Sequence, residues 1–328
     1  LMGIAKGLGI LAPIAAGAII SGAYFGDKLS PLSDTTNLAP AVSGTDVFTH
    51  VKFMLPSTMI SLGITLTIFL FTGFKFSGTA ADMSAISQIK EGIAASFKIS
   101  PLLLIPPLAV ILTIAFKMPA IPGITIGIIL GAIEAFIFQG SSFGELLNAG
   151  YSGYISETGV EVIDELLTAG GLNGMMYSIS LTILAMMFGG IMEKTGQLEV
   201  IVNALLKRVK TAPGLIALTE ATCILSNITM PEQYISIVVP GRMYANAYKE
   251  RGLHPKTLSN ALESGGTLSG ALIPWNTCGA FMTTVLGVST AQYFKYAYLN
   301  YLTPIIVILL SFTGLTVAYL DDEDPRNK

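Results

Sequence analysis

Gly26-Asp27-Lys28-Leu29-Ser30-Pro31-Leu32-Ser33-Asp34-Thr35-Thr36-Asn37 lies in the middle of an apolar zone, Gly9–Gly44, and breaks it. Pro31 and Pro40 forbid one continuous helix through this zone. Irregular backbone at membrane depth is tolerated only where it is buried in protein or lines a cavity. Asp27 and Asp34 are acidic oxygen ligands, and Ser33, Thr35, Thr36 and Asn37 are neutral ones. Such a set suits a hard cation, which needs several oxygens. Lys28 could act as a counter-charge when such a site is empty. The plainer reading of the stretch is a surface loop between two short helices.

Composition supports the membrane setting. Of 328 residues, 52% are hydrophobic and only 12% charged, with mean hydropathy +0.67. A soluble domain carries about 25% charged residues. The net charge of -3 offers no basic patch for nucleic acid. Cys223 and Cys278 form no CxxC pair, and neither pairs with His50 or His254 at metal-ligand spacing. Gly140-Ser-Ser142-Phe-Gly144 fits a nucleophile elbow but follows an apolar helix rather than a strand, so no enzyme and no cofactor are expected.

A spanning helix needs about 20 apolar residues. Val51–Gly73, Pro101–Phe116, Pro119–Phe138, Leu172–Met192 and Tyr298–Leu320 approach that length, while Gly214–Tyr248 and Thr257–Phe294 are apolar but interrupted. Gly123, Gly127 and Gly131 put small residues on one helix face, which suits close packing. The segment 141–171 is acidic, whereas Lys194–Thr211 and Lys249–Lys256 are basic. The positive-inside rule therefore places the acidic loop outside and the basic segments in the cytoplasm. Lys75, Lys90 and Lys98 run against that assignment. Gln197–Lys210 reads as an interfacial helix. Gly214–Tyr248, flanked by basic residues at both ends, reads as a hairpin broken near Pro231, and the C-terminal tail reads as cytoplasmic.

Segments 9–73 and 252–320 read as two copies of one unit. At an offset of about 243, Gly9, Ser21, Gly22, Leu29, Pro31 and Gly44 match Gly252, Ser264, Gly265, Leu272, Pro274 and Gly287. The helices that follow run in opposite directions, so the copies are inverted. Inverted repeats with broken helices mark secondary transporters. The expected fold is an all-α polytopic membrane protein with one transmembrane domain over residues 1–328. Only eight residues precede the first copy, which leads us to expect the C-terminal part of a longer transporter. In the second copy, Glu263, Asn276 and Thr277 match the polar break of the first, with Trp275 a gate or interface anchor. Glu220, Asn227, Thr229 and Glu232 surround the break at Pro231. Ionisable residues at that depth are costly, which makes them functional candidates. Asp27, Asp34, Asn276 and Thr277 form the expected Na+ ligand set.

The stretches Gly22–Pro40, Glu232–Met243 and Leu272–Gly279 resemble the NhaC family of sodium/proton antiporters. That resemblance implies Na+/H+ exchange in a bacterial plasma membrane, with Na+ and H+ as transported ions. Some relatives couple them to malate–lactate exchange, so small organic acids are further partners to expect, as is a homodimer. The chain departs from the pattern at Ser264, where an acidic residue is common, and at Glu232, where Asp is. An uncoupled channel or a membrane scaffold is the alternative of another class.

Overall fold

A computed structural model describes residues 1–30, 33–74, 83–116, 118, 120–160, 163–164, 167–206 and 209–320. Pro31, Lys75, Lys207, Arg208 and the tail 321–328, all of which entered the sequence reading, lie outside the described residues. The described residues form helices and no strand; only two isolated bridges occur, Tyr154 with Ala169 and Leu253 with Tyr319.

The helices are, in chain order, α1 Met2–Gly7, α2 Ala12–Leu29, α3 Asp34–Ser43, α4 Val47–Phe74, α5 Met83–Ser96, α6 Ile105–Ala115, α7 Ala120–Glu134 and α8 Phe143–Ser152. They continue as α9 Gly171–Lys194, α10 Gln197–Leu206, α11 Ala212–Thr229, α12 Gln233–Glu250 and α13 Pro255–Leu262. A π turn, Glu263–Thr267, leads into the short α14, Leu268–Gly270. Helices α15 Thr277–Leu286, α16 Thr290–Tyr293 and α17 Tyr298–Ser311 complete the chain. Val47–Phe74, Ile121–Gln139 and Gly171–Met192 are each long and apolar enough to cross a membrane, and two bent pairs would raise the count to five.

One compact unit comprises Leu1–Ile10 and Thr79–Tyr177. In it, α6 and α7 pack closely because Gly123 and Gly127 carry no side chain. A Cβ there would sit 2.7 Å from Thr113 Oγ1 and 2.5 Å from Val110 Cγ2, whereas Gly131 has nothing within 4 Å. The acidic loop is folded around Asp164. Its carboxylate accepts bonds from Ser156 Oγ, Thr158 N, Thr158 Oγ1 and Gly159 N. These donors, those of Thr158 first, stabilise the ionised carboxylate and hold its pKa below the usual carboxylate range. A depressed carboxylate stabilises the fold above its unfolded value, about 3.9, and that contribution is lost as the pH falls through the folded value. Hydrogen exchange should therefore show Thr158 and Gly159 amides protected at pH 7, still protected at the unfolded value of about 3.9, and released only as the pH falls further, through the lower folded value. Asp164→Ala should release them at both pH values, and equal protection in the variant would contradict this role.

The second unit comprises Leu11–Gly78 and Ser178–Lys328 and holds every candidate site residue. Its interior is unusually polar. Helix α4 buries His50, Ser57, Thr58, Ser61 and Thr65 on one stripe, while Leu66, Leu70 and Phe71 on the other faces are exposed. Three of the hydroxyls bond back to their own helix, Ser57 and Thr58 to Met54 O and Ser61 to Ser57 O, while that of Thr65 has no partner among the described residues. An apolar exterior over a small, polar interior is what a lipid surround selects. The hairpin expected at Gly214–Tyr248 is α11 and α12, which turn at Met230–Glu232 around Pro231.

The last expected span, Tyr298–Leu320, is corrected. Helix α17 ends at Ser311, and Gly314 takes a left-handed φ of 84°. The chain then folds back on residues 252–257 through Thr257 Oγ1 to Ala318 O and Leu320 N to Gly252 O. An apolar count does not register that turn. For Gln197–Lys210, α10 forms, but half of its side chains lie outside the described residues.

Candidate functional site

Three interrupted helices meet in the second unit. The first interruption separates α2 from α3. At the end of α2 the Ser30 amide donates to Asp27 O at 3.1 Å, and the Thr36 hydroxyl reaches across to the carbonyls of both Asp27 and Lys28, at 3.1 and 3.2 Å. Thr35 Oγ1 lies 3.4 Å from Asp27 Oδ2 and 3.1 Å from Ser33 Oγ. Asp27 is half-buried, and Asp34 is exposed and accepts a very short bond from the Tyr234 hydroxyl of α12. Asn37 donates its amide to Ser33 O, within its own segment.

The second interruption is the α11–α12 tip. Thr229 bonds back to Leu225 O on its own helix. Glu232 caps α12 by accepting from Tyr234 N and Ile235 N, so its carboxylate faces the positive end of that helix. Asn227 is fully buried and reaches across. Its amide donates to Gly266 O at 2.7 Å and Ser269 Oγ at 2.9 Å, and its carbonyl accepts from Asn276 Nδ2 at 2.9 Å.

The third interruption follows α14. Asn276 caps α15 by accepting from Cys278 N, and Thr277 Oγ1 donates to the same oxygen. Thr277 N donates to Pro231 O, and Trp275 Nε1 to Ile228 O, which ties this break to the hairpin tip. The π turn before it displaces carbonyls from the helical ladder. Amides from three other elements collect them, Asn227 on Gly266, Gln233 on Thr267 and Asn300 on Leu268. Two glycines allow the approach. A Cβ on Gly265 would lie 2.9 Å from Glu220 Cα, and one on Gly266 2.9 Å from Ile237 Cγ1.

The charges converge on this π turn. Lys28 is fully buried and donates to Ser264 Oγ at 3.1 Å. Its principal electrostatic partners are Glu263 and then Glu220, both also fully buried. Neither carboxylate has a hydrogen-bond partner among the described residues. Glu263 also feels Asp27, which links the buried charges to the first break. No group of three His, Cys, Asp or Glu side chains among the described residues is spaced to hold a metal ion by itself.

The chain matches the family model described as the Na+/H+ antiporter family over residues 22–315. This chain belongs to that family. It is 38% identical to the Na+/H+ antiporter NhaC of Alkalihalophilus pseudofirmus over 97% of its own length and 69% of that protein. It is 37% identical to the malate-2H+/Na+-lactate antiporter of Bacillus subtilis, over 97% of the chain and 68% of the relative. It is 39% identical to the arginine/ornithine antiporter ArcD of Halobacterium salinarum, over 99% of the chain and 67% of the relative. No solved structure matches it.

Sequence reasoning about this antiporter-family chain missed three polar residues of the core and one, Tyr234, on its exposed face. Asn260 is fully buried with both amide atoms unpartnered, and Tyr234 bonds Asp34. His50, weighed in the sequence as a metal-ligand partner for the cysteines, is fully buried on α4 with Nδ1 2.7 Å from Ser259 Oγ. Asn300 holds the π turn from α17. The spacing Asn260-Glu263-Ser264-Thr267 places one polar stripe along a helix, and that signal was available.

Proposed function

We propose that the chain is a secondary transporter that exchanges Na+ for H+ across a plasma membrane by alternating access. The observation that carries this reading is the pair of fully buried carboxylates, Glu220 and Glu263, neither in full hydrogen-bond geometry with any partner among the described residues, beside the buried Lys28. Isolated buried charge costs several kcal/mol. A proton or a small cation relieves that cost equally well, so the two compete for the same carboxylates. Asp27 and Thr35 of the first break act on Glu263 and serve as the entry ligands of this centre, with Ser33 beside Thr35.

The two copies read from the sequence are proposed to move as inverted halves. Ala12 and Pro255 start helices 243 positions apart, as do Asp34 and Thr277, and α3 and α15 end on left-handed Gly44 and Gly287. Neighbours are exchanged reciprocally as well: α4 packs on α13 and α17 packs on α2. That swap is what a two-fold relation between the copies requires.

A second reading, exchange of an organic cation, is favoured over exchange of an organic acid. Asp34 sits within electrostatic range of both Asp27 and Glu232, which makes this face anionic. A negative face repels malate and lactate and attracts ammonium or guanidinium groups. Purified protein in liposomes with an acidic interior tests these readings. External Na+ is expected to dissipate the pH gradient. No response to Na+, with arginine or ornithine collapsing it instead, would replace the first reading with the second. Asp34→Asn is expected to slow Na+-driven exchange about tenfold by weakening attraction at the face, with no change in folding. An unchanged rate would remove Asp34 from the entry route.

A further inference from the structure

The buried charges set a capacity. Lys28 bonds Ser264, Glu263 adjoins Ser264 in the chain, and Gly265 lets the backbone rest against Glu220, so one π turn gathers all three ionisable side chains. The Asn260 amide and the Thr267 hydroxyl lie on the same helical stripe as Glu263, fully buried; the Asn260 amide meets no partner among the described residues, and the Thr267 hydroxyl faces the Glu263 carboxylate without reaching full hydrogen-bond geometry. His50 is the next titratable group on the α4 side; it is held by Ser259, and Lys28 acts on it electrostatically. Unpartnered buried polar atoms in one cluster cost free energy that a bound ligand recovers.

We propose that Lys28, Glu220 and Glu263 enclose one occluded site for a single monovalent cation or proton, with the Asn260 carbonyl and Thr267 hydroxyl as its neutral ligands. Two carboxylates and one ammonium leave one negative charge. A low-dielectric interior demands near-neutrality, so the cluster takes one positive charge and refuses a second. Lys28 is then a permanent occupant that fixes the number of exchanged charges. A proton leaves one carboxylate as Na+ arrives, and the total charge of the cluster does not change. The inference rests on the exchange reading above and adds its stoichiometry at this centre.

Charge-balance rescue tests it. Radioactive Na+ binding is measured on purified protein at pH 8.5. Glu220→Gln leaves Lys28 and Glu263 mutually neutral, and binding is expected to fall at least 100-fold. Lys28→Met with Glu220→Gln restores one negative charge, and binding is expected to return to within about tenfold of wild type. The mirror pair, Lys28→Met with Glu263→Gln, provides the same test with different packing. Binding in a monodisperse double variant as weak as in the single one overturns the proposal. Wild-type protein supplies a test free of folding effects, since Na+ binding should release at most one proton from it. Release of two protons, or saturation at two Na+, overturns it. Absence of any Na+-driven proton movement in wild-type liposomes would instead defeat the exchange reading itself.

Discussion

Asn227→Leu is expected to abolish exchange and to cost about 3 kcal/mol of stability. The side chain makes three bonds between the hairpin tip, the π turn and the third break. Leucine removes all three while keeping similar volume. The carbonyl of Gly266 then keeps only a 3.5 Å contact with Ser236 Oγ. The Asn276 amide loses its 2.9 Å partner and keeps a 3.4 Å contact with the Asn227 carbonyl. Each orphaned buried group costs about 1–3 kcal/mol, and the two groups lie in one network, so their losses do not simply add. The thermal unfolding midpoint read from the fluorescence of Trp275, the only Trp in the chain, reports the change. A folded Asn227→Leu protein that still exchanges at the wild-type rate would show that the junction is merely structural.

Gly265→Val should be nearly as severe for a different reason. Its first added carbon lies 2.9 Å from Glu220 Cα and 3.1 Å from Cys223 Cβ. Backbone cannot yield as a flexible side chain does, so α11 must move away from the π turn. Overpacking of this kind costs about 1–3 kcal/mol. The functional loss should exceed the loss in stability, because the shift separates Glu220 from Lys28. Gly22 provides the comparison, with nothing within 4 Å of an added Cβ. Gly22→Ala is expected to be neutral or to stabilise by up to about 1 kcal/mol, since alanine loses less backbone freedom in a helix. Equal damage from both substitutions would mean that the close approach at Gly265 has no special role.

The breaks were legible in the sequence because proline and clustered polar residues cannot continue a helix through an apolar run at membrane depth. The hairpin turn at Pro231 follows from that signal; the helix starts at Asp34 and Thr277 do not, because the polar stretch runs on through the first turn of α3 and Pro40, read as a breaker, lies inside that helix. The π turn was not legible. Glu263-Ser264-Gly265-Gly266-Thr267 carries no local preference for a widened turn, which persists because amides from distant elements collect its carbonyls. Depth could be read but facing could not. Asp34 shares its polar stretch with Lys28, yet Asp34 is exposed and Lys28 fully buried. The partners of Lys28 stand on α11 and at the π turn, far along the chain, and no periodicity within Gly26–Asn37 points to them. Asn260 went unnoticed because it lies among Lys256, Thr257 and Ser259, where one more polar residue is an ordinary feature. Its significance appears only once Glu263 is seen three residues on, buried and unpartnered.

The central claim is that the carboxylates gathered at the π turn carry the exchange. Na+-driven proton efflux in liposomes containing Glu263→Gln, matched to wild type for the amount of protein inserted, tests it directly. Glutamine keeps the shape of the side chain and removes its charge and its proton. Efflux should fall at least 100-fold, equivalent to about 2.7 kcal/mol, while the protein remains monodisperse. Efflux within twofold of wild type would contradict the account and move the exchange centre away from the π turn.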